Sequence, residues 1–285
     1  MKMNGIALLL LLAPALRAED VPAASTGAPV MKYAWKEEWP RFRPIEYAVT
    51  GAALAGAAAN FYLVPPPLNP VWRGPIFFDE RARAAMLIGS ETGRDKVKVA
   101  ADLLVIPLMG YAMLDGPVVA LWAGNKDTAF QLAMINAETF AVAEFLNLSI
   151  TNLIPRTRPA GAVCDPESKY DRSCVKSFWS GHSANAFTAA SLICVEHDAL
   201  DLYGGKRDAA ACGAALAIAA VAGASRITSN NHHASDVIVG AAVGGLLGYW
   251  MPKLLHFRAR KEPRLGWLMP SVSPAGGGLT YVLAW

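Results

Sequence analysis

The sequence predicts an all-α protein: a helical bundle of about six mostly membrane-embedded helices, with a short C-terminal tail able to close as a β-hairpin. Three observations carry this prediction. The chain is 54% hydrophobic and only 17% charged, where an average soluble domain is nearer a quarter charged. Its mean hydropathy is positive, +0.29. Its apolar residues gather in Ala/Leu-rich runs too long for strands, interspersed with the small residues that let helices approach closely in a membrane.

Taken in order, residues 1–18 read as an export signal. Lys2 supplies the positive start, residues 6–12 the apolar run, and residues 14–18 the small residues before a cleavage point after Ala18. That run is shorter than the roughly 20 residues that span a bilayer. Residues 19–44 form a polar surface lead-in, with Trp35 and Trp39 expected at a membrane interface. The helical domain is placed at 45–252. Its first apolar segment, 45–64, is stopped by Pro65-Pro66-Pro67. Residues 68–97 are charged and amphipathic, with a short surface helix at 79–87. Further helices are expected at 99–123, 129–150, 184–195, 209–223 and 234–251. Asp102, Asp115, Glu138 and Glu144 fall within them. Ionisable groups are costly in lipid, so these must face the bundle interior. In the tail, 253–285, residues 279–285 can pair with 265–269.

The net charge is +3 with no dominant Lys/Arg run, which gives no reason to invoke nucleic acid. Of the four cysteines, Cys164 and Cys174 lie in a polar loop and are expected to form a disulfide, as suits an exported protein. Cys194 and Cys212 lie in apolar helices and are expected to be buried packing residues. No cysteine pair or His/Glu cluster has metal-ligand spacing, so neither metal nor cofactor is expected. His197 and His256 sit among polar residues near segment ends and read as surface or interface side chains.

Three short stretches, each at the end of an apolar helix, can build one site. They are Arg156-Thr157-Arg158-Pro159, Ser180-Gly181-His182-Ser183, and Ser225-Arg226 followed by His232 and Asp236. Arg158 and Arg226 are fork-shaped donors suited to a phosphate. Ser180 and Gly181 lead into a helix whose first N–H groups favour an anion. His232 and Asp236, four apart at a helix start, are expected to touch, so that the carboxylate holds one imidazole nitrogen and frees the other to attack. His182, from another helix end, can protonate the leaving oxygen. Together these supply nucleophile, orienter, acid and charge clamp for metal-free phosphoryl transfer. His233 rivals His232 as nucleophile, at a spacing of three from Asp236.

These stretches resemble the signature of the type 2 phosphatidic acid phosphatase and vanadium haloperoxidase superfamily: Lys-x6-Arg-Pro, Pro-Ser-Gly-His and Ser-Arg-x5-His-x3-Asp. The third block matches in full at Ser225, Arg226, His232 and Asp236. The second has Trp179 in place of proline, and the first has Thr151 in place of lysine. The resemblance covers roughly residues 99–251. It implies a phosphohistidine at His232 oriented by Asp236, with His182 as general acid. Arg158, Arg226, Ser180 and Gly181 would bind the phosphoryl oxygens. Thr151 at the lysine position leaves three readings open: Arg156 or Lys176 fills the place, the pocket prefers a different substrate, or the enzyme is weak or inactive.

The expected function is hydrolysis of a phosphomonoester or diphosphate of a lipid, such as phosphatidic acid, an isoprenyl diphosphate or a lipid A phosphate. The alternatives are a phosphotransferase using the same pocket, or a phosphate- or lipid-binding membrane protein that has lost turnover with the lysine. The expected location is a bacterial inner membrane with the site facing the periplasm. A soluble periplasmic bundle is the alternative, because three spans before Arg158 would leave the N-terminus on the side opposite to that of a cleaved export signal.

Overall fold

The computed structural model describes residues 32–65, 67, 69–160, 173–259, 266–273 and 276–283. The expected export signal, the first part of the lead-in and Cys164 lie outside these residues.

Helix α1, Pro44–Tyr62, opens with proline, whose missing N–H costs nothing in a first turn. After α2, Asp79–Met86, comes the long α3, Glu91–Trp122. It starts eight residues before the predicted position 99. Ser90 caps it by accepting from the Gly93 N–H at 3.1 Å, so the charged turns 91–98 continue the apolar segment as one helix. Gly124, at φ +81°, turns the chain into α4, Lys126–Leu153. Helices α5, Gly181–Leu200, and α6, Lys206–Thr228, follow. Next come α7, Ala234–Gly245, one wider π turn at Leu246–Trp250, and α8, Met251–Leu255.

Helix α5 is the axis of the bundle, and most of its side chains are buried. The face of α7 and of the π turn after it that meets α5 is made of Gly240, Gly244 and Gly248. A Cβ at these positions would strike the carbonyl oxygens of Ser180, Ala184 and Thr188 respectively. Glycine every fourth residue therefore lets two backbones touch. This packing brings the start of α7 against the start of α5.

Three stretches are long and apolar enough to cross a membrane: α3, α6 and the continuous Ala234–Leu255. Their outward residues include Leu103, Ile106, Leu114, Val221, Ile238, Leu246 and Leu254, all exposed. A band of apolar side chains turned away from the core is what lipid would cover. Of the four acidic residues expected to face inward, Asp115 and Glu138 are buried and Glu144 is half-buried, whereas Asp102 is exposed.

Several expectations are corrected. Trp35 and Trp39 are buried rather than interfacial. They pack edge-on at 5.3 Å and both meet Phe257, because α8 ends beside the lead-in. His197 and His256 are also buried. His197 is held between Asp115 (2.8 Å) and Asp208 (2.6 Å), which tie α3 and α6 to α5. His256 lies 3.5 Å from Glu138. Buried imidazoles of this kind are sustained by carboxyl neighbours that sequence spacing does not reveal. Cys194 and Cys212 are not free packing residues but form a disulfide, their Cα atoms 4.5 Å apart where α5 and α6 pack side by side. The tail hairpin forms as β1, Gly266–Ser273, antiparallel to β2, Gly276–Leu283, with Trp267 opposite Val282.

Candidate active site

The three sequence stretches converge at one end of the bundle. After α4 the chain runs extended beside two other segments. The Thr157 N–H donates to Trp72 O (3.2 Å), the Ser177 N–H to Arg156 O (3.1 Å) and the Arg158 N–H to Cys174 O (2.9 Å). This small backbone ladder sets the 155–158 stretch against residues 174–177, and the starts of α5 and α7 close the site from the other side. The Ser180 N–H donates to Asp236 O at 3.1 Å, joining the two helix starts directly.

His232 is buried in the turn between α6 and α7. Its N–H donates to Arg226 O at 3.1 Å, and its ring Nδ1 lies 2.7 Å from Ser177 O. A carbonyl can only accept, so Nδ1 carries the proton and Nε2 keeps its lone pair. Burial, together with the charges of Arg158 and Arg226, holds this imidazole well below its usual pKa. It is therefore neutral at physiological pH, as a nitrogen nucleophile must be.

Asp236 does not touch His232 as the spacing of four predicted. His232 precedes the cap of α7 and so is not on the helix, and the four-apart rule does not apply to it. As the third residue of α7, Asp236 reaches back to the His233 N–H (3.1 Å). It also accepts from the Ser177 hydroxyl (2.6 Å) and from the Arg156 guanidinium. Its hold on His232 is indirect, through Ser177, whose side chain it grips and whose carbonyl grips the imidazole.

Arg156 is placed differently from the expectation of a phosphate ligand. It is fully buried, and its guanidinium is committed to Asp236, to Asp79 (2.8 Å), to Ser235 Oγ (2.8 Å) and to Gly74 O (2.9 Å), stacked on the Trp72 ring at 3.9 Å. It fastens the 72–79 loop behind the site and has no donor left for a substrate. His233, the rival nucleophile, turns its ring to Thr157 O at 3.2 Å.

The remaining expected residues lie around His232. Arg158 donates to Asn231 Oδ1 (2.9 Å) and toward Lys176 O (3.4 Å). Arg226 is nine-tenths buried, with its Nε unpartnered among the described residues. Ser180 caps α5 by accepting from the Ser183 N–H (3.4 Å), leaving its own hydroxyl proton to give. His182, in the first turn of α5, bonds through Nε2 to Asp102 of α3 at 2.6 Å. Thr151, in the position of the family lysine, spends its hydroxyl on Asn147 O in its own helix (2.7 Å). Lys176 is half-buried, and its ammonium is lowered from its usual pKa by that burial and then by the charge of Arg158, on whose side of the site it lies.

Sequence reasoning missed Asp102, Ser177, Asp79 and Trp72 as members of the site. Only Asp102 carried a signal, as a carboxylate inside an apolar helix. The other three are brought in by loops whose course no local pattern predicts.

A sequence model of the PAP2 superfamily matches residues 132–260. A lipid A 1-phosphatase from Porphyromonas gingivalis is 41% identical over 88 residues, which are 30% of this chain and 18% of that protein. The crystal structure of a transmembrane PAP2-type phosphatidylglycerolphosphate phosphatase from Bacillus subtilis aligns over 73% of this chain and 94% of its own, at 22% identity and a TM-score of 0.46. Residues 132–260, the stretch similar to the PAP2 superfamily, hold both candidate catalytic histidines, Asp236 and all three arginines discussed above.

Proposed function

We propose that this membrane protein is a metal-independent phosphatase that hydrolyses the phosphate ester of a lipid through a phosphohistidine at His232. One observation carries the reading: the Ser177 carbonyl fixes the His232 tautomer, leaving a bare Nε2 among two arginines and a second histidine. The PAP2 match and the similarity to a lipid A 1-phosphatase support a lipid phosphate as substrate class.

In the first step the Nε2 lone pair attacks phosphorus. The bond from phosphorus to the ester oxygen breaks with its electron pair, and His182 gives that oxygen a proton. In the second step water attacks phosphorus, the nitrogen–phosphorus bond breaks, and His182 takes the proton of the water. Arg158, Arg226, the Ser180 hydroxyl and the first N–H groups of α5 hold the phosphoryl oxygens and the charge that develops on them. Asp102 holds the His182 ring by its other nitrogen. With Arg156 committed elsewhere, Lys176 is the cation left to stand in for the absent lysine.

The site faces the periplasm in this reading. The Cys194–Cys212 disulfide supports an oxidising compartment for the protein, since protein disulfides persist there. The test is phosphate release from a panel of lipid phosphates with excess EDTA. Wild type should turn over, and His232→Ala should lose about three orders of magnitude or more. Equal release from both would overturn the reading.

A further inference from the structure

Residues 71–83 form a strap between α1 and α3, level with the ends of the apolar stretches on the site's side. Asp79 of the strap accepts from the N–H of Ser235, the second residue of α7, at 2.8 Å. Just past α2, the Ile88 N–H donates at 3.1 Å to the carbonyl of Thr228, the last residue of α6. Where apolar spans end, a bilayer passes from acyl chains to headgroups. At this level the strap exposes apolar side chains. Phe77 is 93% exposed, and Phe78 and Val71 are exposed too. Phe77 is also held at φ +51°, a left-handed conformation that a bulky residue rarely adopts. Asp79 secures that turn, donating its N–H to Ile76 O at 3.0 Å and accepting from the Ile76 N–H at 2.9 Å. Neighbouring helix ends extend the patch. Val71 and Trp72 donate to Pro155 O, just after α4, and Asn60 of α1 bonds Ser149 and Asn152 of α4. At these adjoining ends Phe61, Tyr62, Leu63 and Leu153 are exposed as well. With Asp79 turned inward to Arg156 and Glu80 paired with Arg83 at 3.5 Å, Arg73 and Arg81 are the cations that the strap presents outward.

We propose that the strap is an interfacial anchor, and that its partner is the phospholipid headgroup layer on the site's side of the membrane. Depth and chemistry both match that layer. Aromatic rings settle at the boundary of the acyl chains, and guanidinium groups meet the lipid phosphates just above them. Asp79, two residues from Phe77, also holds Arg156 and the start of α7, so the anchor is fastened directly to the site. The strap thereby sets His232 at the depth of lipid phosphates, and a lipid substrate reaches it without leaving the bilayer. That consequence rests on the phosphatase reading above; the anchor itself does not.

The experiment uses the full-length protein in liposomes of phosphatidylcholine and phosphatidylglycerol. Phe77→Cys is labelled with bimane, a small apolar dye that takes the place of the phenyl ring, and wild type treated in the same way is the control. A nitroxide on the lipid close to the headgroup should quench the dye, and aqueous iodide should reach it poorly. A dye open to iodide and untouched by the lipid nitroxide overturns the anchor. The second arm replaces both rings, Phe77→Ser with Phe78→Ser, and measures phosphate release from two substrates. On a long-chain phosphatidic acid in the liposome, kcat/KM should fall about tenfold. On a short-chain, water-soluble phosphatidic acid it should stay within about twofold of wild type, because the site itself is untouched. An equal fall on both substrates overturns the anchoring role and makes the rings part of the site. No release of either substrate by wild type overturns the phosphatase reading, and the dye result then decides the anchor alone.

Discussion

His182 and His232 are both imidazoles, and their different neighbours give them different work. His232 meets a carbonyl, which can hold a neutral ring by one N–H but adds no charge. Burial and the Arg226 charge lower His182 from its usual pKa, and the Asp102 carboxylate offsets part of that lowering, keeping a proton within reach of the ring. The pH–rate profile should report both. Its acid limb, set by protonation of His232, should lie below the ordinary imidazole range near 6.5. Asp102→Asn should move the alkaline limb to lower pH and cut kcat by about 10²-fold, with KM little changed. A profile unmoved by the substitution would remove Asp102 from the mechanism. Arg156 is a separate matter. Both its carboxylate partners are fully buried, so Arg156→Met would strand two buried charges. The expected loss is about 3–5 kcal/mol of stability, read as a fall in Tm in detergent.

The start of α5, with Ser180, Gly181 and His182, can meet the start of α7 only because α7 presents glycine to it. The obstacle at Gly244 would be the Ala184 backbone, which cannot swing aside as a side chain can. Gly244→Val should therefore cost about 1–3 kcal/mol and lower turnover, because the two helix starts that share the Ser180–Asp236 bond are pushed apart. Gly213 on α6 makes the contrast, since a Cβ there meets nothing within 4 Å. Gly213→Ala should be neutral or stabilising, by up to about 1 kcal/mol. Equal damage from both substitutions would mean that the glycines matter for helix propensity and not for packing. The apolar runs made these helices legible in the sequence, but the α3 boundary was missed because its first two turns are charged. Helix continuation there depends on the Ser90 cap, which hydropathy does not register.

At the scale of the molecule the bundle is fastened at two levels. One is the site, with its ladder and its buried Arg156. The other lies along α5 toward its far end, where the Cys194–Cys212 bridge and the His197 cluster join α5 to its neighbours. Cys194 is twelve residues beyond His182, about 18 Å along the helix. Replacing both cysteines with serine should lower stability by about 3 kcal/mol, as expected for a loop of 18 residues. It should leave phosphate release per folded molecule unchanged. A loss of turnover without a fall in Tm would mean that the two levels are coupled. The sequence by itself determined the helical class and the order of the helices, and it nominated His232, His182, Arg158 and Arg226, which the fold brings to one end of the bundle. Helices announce themselves by local periodicity, and the spacing within each signature block is local too. Only the tertiary structure decided which partner each of these groups has. Ser177 rather than Asp236 holds His232, Arg156 braces the site from behind, and Cys194 pairs with Cys212. Hydrogen bonds and disulfides join residues close in space but distant in the chain, and no local pattern encodes which distant segments meet.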